Sequence, residues 1–254
     1  MNAKNRKHMI YFFEETEDGF LTAFLAAFQD EHALFSTENT QLVLGEDRVY
    51  LQTDSLKAEK ARRRLCSFDR ECLSDLRLLL RCGKTDRFQV AFGYLKAMAN
   101  AKAPVRARLA DRAVFIAMEY VKKVRYEIHR FHGFIRFMET ASGALYAPFS
   151  PDNDICDLLV PHFRARLPAY PFVLHDVSRK KAAVYDGEHV FVAPLTQAEV
   201  VLSAKENEWQ ALWKQYYAAV NIPSRERLKQ MRGYMPARYW KFLPEKNENA
   251  SANR

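Results

Sequence analysis

A chain of 254 residues that is 48% hydrophobic can bury one large core or two modest ones, and its 8 glycines and 10 prolines leave little room for low-complexity linkers. The formal net charge of +8 favours an anionic partner, of which nucleic acid is the commonest. Its four cysteines (Cys66, Cys72, Cys82, Cys156) form no C-x-x-C pair, which argues against a zinc ribbon or an iron–sulfur cluster, and no apolar run approaches the ~20 residues that span a bilayer.

The first element, Met9 to Phe13, is short and apolar and reads as a strand. Phe20, Leu21, Phe24, Leu25 and Phe28 then share one helical face. Residues 42–45 and 48–53 read as short strands, and Ser55 suits the N-cap of a helix from Leu56 to Cys66. Lys57, Lys60, Arg62, Arg63 and Arg64 give that helix a basic, solvated face. Further helices are expected over 71–81, 86–99 and 105–131, with Pro104 at the entry of the last. Its apolar residues recur every three or four positions from Val105 to Ile128, so it reads as a spine between two halves.

From Gly133 onward the text is β-rich. Phe134–Glu139 and Leu145–Phe149 flank a hairpin-type connection, and a helix is expected from Pro151 to Leu167. Phe172–Val177, Lys181–Tyr185 and His189–Ala193 follow, with Asp186-Gly187 as a hairpin turn. The expectation is an α+β protein: an N-terminal strand and helix part (1–104), then the spine helix, a small antiparallel β-β-α-β-β-β sheet with a covering helix, and C-terminal helices (105–245). Residues 246–254 read as a polar, frayed tail. No secretory leader is evident after the basic Met1–His8, so the chain is expected in the cytoplasm, with no membrane association.

No phosphate loop, dinucleotide fingerprint, nucleophile elbow, zinc-deaminase pattern or triple-cysteine radical cluster occurs. His129 and His132 lie three apart on a helix and could share a cation with His162. Their position near a helix C-terminus gives them a dipole role without any metal, and that is the stronger reading. No metal or other cofactor is therefore expected. Asp152 and Asp154 near a helix start resemble an acid pair, although capping alone favours carboxylates there.

The C-terminal run is more informative. Trp209, Leu212, Trp213 and Tyr216 stand at helical spacing and read mostly as core. Between residues 205 and 244, eight Lys or Arg face three Glu. Arg225, Arg227, Lys229, Arg232, Arg238, Tyr239, Trp240 and Lys241, together with Arg136, are the candidate nucleic-acid contacts. Basic surfaces with interleaved aromatics hold phosphates and stack bases. An ordinary cationic exterior on a packed helix pair accounts for the same residues equally well.

Four stretches carry a family resemblance: Glu127 to Phe137 (EIHRFHGFIRF), Leu145 to Asp152 (LYAPFSPD), Pro161 to Arg166 (PHFRAR) and Met235 to Lys241 (MPARYWK). From about residue 9 to 245 the chain resembles a bacterial DNA metabolism/repair protein family of unknown function. That family is encoded beside a radical SAM (S-adenosylmethionine) protein, and its domain is fused in some bacteria to a uracil-DNA glycosylase. The resemblance implies DNA, a radical SAM protein and a uracil-DNA glycosylase as partners, but no established reaction. Two departures stand out: Phe13-Glu14-Glu15-Thr16 replaces the family's Tyr-Asp-Gly-Ser, and Arg227 and Met231 replace a frequent Asn and Gln. No glycosylase motif is present. The leading expectation is a DNA-binding accessory module. The alternatives are an enzyme on damaged or modified nucleic acid, using His129, His132, Arg136, Asp152 and His162, and a protein adaptor that ignores DNA.

Overall fold

The computed structural model describes residues 9–37, 47–222 and 227–246. Within it the chain divides into two units, Met1–Arg125 and Tyr126–Arg254, and the division falls inside one long helix.

In the first unit, β1 (Met9–Phe12) lies between β2 (Leu34–Ser36) and β3 (Asp47–Tyr50), parallel to both. The expected residues 42–45 lie outside the described residues. Parallel neighbours require crossovers, and α1 (Glu17–Ala26) supplies the first. Thr16 caps α1 by accepting from the Gly19 amide at 3.0 Å. Only glycine fits at 19, because a Cβ there would lie 2.2 Å from the Glu14 carbonyl oxygen. Helices α2 (Ser55–Phe68), α3 (Cys72–Arg81) and α4 (Arg87–Ala101) complete the core, with Phe20, Leu21, Leu65, Leu76, Leu79, Tyr94 and Met98 fully buried. Asp54, not Ser55, caps α2, accepting from the Leu56 and Lys57 amides. On its basic face Arg62 is tied to Glu17, Asp18 and Glu59, so part of that charge is locally neutralised. Asp75 is fully buried, yet it accepts from Tyr94, Arg106 and Arg125, which satisfies its charge.

The long helix α5 spans Arg112–Phe134, later than Pro104 suggested. Residues 105–111 form turns instead, and Asp111 accepts from the Ala113 amide at 2.9 Å to start the helix. Pro104 and Asp111 thus offer two possible starts for one helix, and the aspartate cap sets the boundary.

The second unit carries a five-stranded sheet in the order β4 (Met138–Glu139), β5 (Leu145–Phe149), β6 (Phe172–Asp176), β7 (Lys181–Tyr185) and β8 (Val190–Pro194). Three pairings are antiparallel as expected, but β5 and β6 run parallel. The connection between them contains α6 (Val160–Arg166), which returns the chain to the same end of the sheet. That helix is shorter than expected: residues 151–156 are irregular, and a 3-10 turn at Asp157–Leu159 leads into it. The hairpin at Asp186-Gly187 forms as read, with Gly187 at φ +111°. Helix α7 (Glu206–Val220), helix α8 (Leu228–Tyr234) and a 3-10 segment, Ala237–Phe242, follow. Beyond Lys246 the expected tail lies outside the described residues. The architecture is α+β, and no helix among the described residues is long and apolar enough to cross a membrane.

Candidate nucleic-acid interface

The aromatic row of α7 is not core. Trp209 and Tyr216 are 55% and 58% exposed, and Leu212, Trp213, Val220 and Ile222 are exposed with them. Helical spacing correctly placed these residues on one face, but no element of the described chain covers that face. Burying one such side chain contributes about 1.5–3 kcal/mol, so leaving several in water is a cost that packing could have avoided.

Polar anchors hold α7 in place of an apolar seam. Glu206 is buried and accepts from the Glu139 amide at 2.8 Å. Farther along, the Trp213 indole N–H donates to Glu245 at 2.9 Å. Arg136 donates to the other oxygen of Glu245 at 2.6 Å and lies 4.9 Å from the centroid of the Trp213 ring. It also donates to the Gly133 carbonyl at the end of α5. Burial raises the Glu245 carboxyl pKa, but the bonds from Arg136 and Trp213 outweigh it and hold the group below its usual range. Arg136 is therefore a bracing residue, committed to protein groups.

The other candidate cations differ among themselves. Arg227, Lys229 and Arg232 are exposed on and just before α8, and Lys241 is exposed in the final segment. Arg225 lies outside the described residues. Arg238 pairs with Asp152 and donates to the Tyr239 hydroxyl at 3.0 Å. Tyr239 itself is buried, and Trp240 is half-buried with Arg232 and Lys246 beside its ring, so both are engaged by the protein.

The catalytic candidates fall into two groups. His132 and His162 stack with ring centroids 4.0 Å apart and planes within 9°. Neither Nε2 has a hydrogen-bond partner, and parallel lone pairs do not converge on one cation. Burial, followed by the fields of His162 and His129, lowers the His132 pKa below its ordinary value of 6.5. His129 is exposed. Among the described residues, no group of three or more His, Cys, Asp or Glu is placed to hold a metal ion.

Asp152 belongs to the second group, where the centre is a residue that the candidate set omits. Glu127 is buried on α5, and each of its oxygens takes two bonds. Oε1 accepts from the Asp152 amide at 2.8 Å and the Tyr239 hydroxyl at 2.7 Å; Oε2 accepts from the Asn153 amide and side chain at 2.8 and 2.6 Å. Burial and Glu127 together raise the Tyr239 hydroxyl above the ordinary phenol range, which keeps it a donor. Arg179, in the turn between β6 and β7, closes the same loop by donating to the Pro151 and Asp152 carbonyls and to Asp176. Neither Asp152 nor Asp154 caps a helix: the first pairs with Arg238 and the second with Lys181. With all its acceptor sites used, Glu127 is a clamp and not a general base. One signal in the sequence marks it: a carboxylate on the apolar stripe between Val124 and Phe131.

No curated protein and no solved structure matches this chain. The model of a domain of unknown function, DUF4130, matches residues 85–245, more than half of the sequence and all of the elements described in this section, and the chain belongs to that family.

Proposed function

We propose that the chain is a DNA-binding accessory module that docks nucleic acid on the exposed face of α7 and the cations around α8. The observation that carries this is the outward pair Trp209 and Tyr216, since Trp213 is held by Glu245 and Arg136. Exposed aromatic rings stack bases without regard to sequence, and nearby Arg and Lys hold the phosphates. Arg227, Lys229, Arg232 and Lys241 are the cations for that role, and the overall charge of +8 supports the same reading. The family resemblance adds a radical SAM protein or a uracil-DNA glycosylase as the enzyme that such a module serves.

Titration with single- and double-stranded DNA, followed by mobility shift and by quenching of tryptophan fluorescence, tests this proposal. Binding should weaken steeply between low and moderate salt, with a slope near −0.7 per phosphate contact on single strands. Trp209→Ala with Tyr216→Ala should weaken it further without changing that slope. No binding at tens of micromolar protein in low salt would sink the reading.

The aliphatic members of the same row, Leu212, Val220 and Ile222, favour a second reading. They suit an apolar partner helix better than a base, as a protein adaptor would require. An adaptor would bind its protein partner at moderate salt and leave DNA unshifted.

A further inference from the structure

Strand β8 ends the five-stranded sheet, and its first four residues carry neither the charge nor the proline that usually protects an edge. Its residues Val190, Phe191 and Val192 are 41%, 50% and 50% exposed, on both faces of the strand. There is no charged residue among Val190–Pro194, and the one proline stands at the far end.

The direction of its free backbone groups follows from the hairpin. The Asp186 amide bonds to the His189 carbonyl and the Leu195 amide to the Lys180 carbonyl, so residues 189 and 195 point back to β7. The ladder alternates, and the pairing Val184↔Phe191 and Ala182↔Ala193 therefore bonds Phe191 and Ala193 inward. The N–H and C=O of Val190 and Val192 point outward, away from the sheet.

We propose that β8 pairs antiparallel with β8 of a second copy of this chain, with Phe191 on the twofold axis. This register sets Val190 opposite Val192 of the second copy, and each such pair exchanges two outward bonds. Centring the axis on Val192 would place Val190 opposite Pro194, which has no N–H to give. Centring it on Val190 would place Val192 opposite Glu188, beside the turn. Only the Phe191 register pairs the outward groups of Val190 and Val192 with one another and puts apolar side chains together on both faces. On one face the two Phe191 rings meet across a pair whose Cα atoms stand about 4.5 Å apart. On the other, the four valines lie together, and Val190 also lines a groove of about 650 Å3 that Val160, Pro161, Ala165 and the charged Asp157 and Arg164 share. Isologous pairing of one strand with itself closes at two copies.

Three side chains a side fall well short of the ~800 Å2 per partner of a stable complex, so the dimer is weak and concentration-dependent. Sedimentation of the full chain should show monomer and dimer exchanging with a Kd between about 10 µM and 1 mM. Val192→Pro removes an outward N–H and leaves the β7 ladder intact; it should weaken dimerisation at least tenfold while unfolding stays cooperative. Phe191→Lys sets like charges across the axis and should do the same, which covers the case in which the proline variant misfolds. Phe191→Cys should cross-link to itself on mild oxidation, beyond any background from the parent's own cysteines. A parent chain that stays monomeric up to about 1 mM overturns the proposal. So does a dimer that neither variant weakens.

Discussion

The Tyr239 hydroxyl donates to Oε1 of Glu127 at 2.7 Å across 112 residues of sequence, and both groups are buried. The bond fastens the final 3-10 segment to α5 and completes the acceptor set of a carboxylate that has no water to turn to. Tyr239→Phe keeps the ring and its packing against Phe131 but removes the donor. The expected loss is about 1–3 kcal/mol, the cost of leaving a buried acceptor short of a partner. Urea unfolding of the variant beside the parent measures it. An unchanged midpoint would mean that the segment is held by the ring alone.

Much of the fold is legible in local text, and the parts that are not share a physical reason. Phe20, Leu21 and Phe24 announce α1 because a helical face repeats every three or four residues. Asp186-Gly187 announces its hairpin because the turn needs a residue at positive φ. Leu34–Ser36 announces nothing, since three residues hold no period. The parallel pairing of β5 with β6 is set by a crossover, which neither strand encodes. The α7 row fails differently. Spacing says that Trp209, Trp213 and Tyr216 share a face, and it is silent on whether anything covers that face. At the site, Arg136 was legible as a cation but not as a brace, because its partner Glu245 lies 109 residues away.

Two glycines in helices give opposite expectations. Gly19 lies under the Glu14 carbonyl, and the Cβ of Gly19→Ala would have to displace backbone from 2.2 Å. That substitution should destabilise the first unit by about 1–3 kcal/mol, the usual cost of overpacking. Gly133, in the last turn of α5, has nothing within 4 Å of its Cβ position. Gly133→Ala should instead stabilise by up to about 1 kcal/mol, the difference in helix propensity. Thermal unfolding of both variants compares them directly, and a shift of the same sign in both would contradict the geometry.

The His132–His162 stack predicts a pH dependence with a definite sign. Burial is the larger cause of the lowered His132 pKa, and the two neighbouring histidines add to it. An unfolded His132 takes up a proton near its ordinary value of 6.5, whereas the folded one does so only at lower pH. The unfolded state therefore binds more protons between the two values, and stability falls as pH drops through that window. Above 6.5 the contribution is fully present; below the folded pKa the loss is complete. Unfolding free energy should be smaller at about pH 5.5 than at about pH 7.5. His132→Phe keeps a ring on His162 and removes the titrating group, so it should flatten part of that dependence. The difference between parent and variant cancels the histidines that do not neighbour His132 and reads the His132 site with its coupling to His162 and His129. A difference that stays constant across the pH range would mean that His132 titrates alike in the folded and unfolded chain.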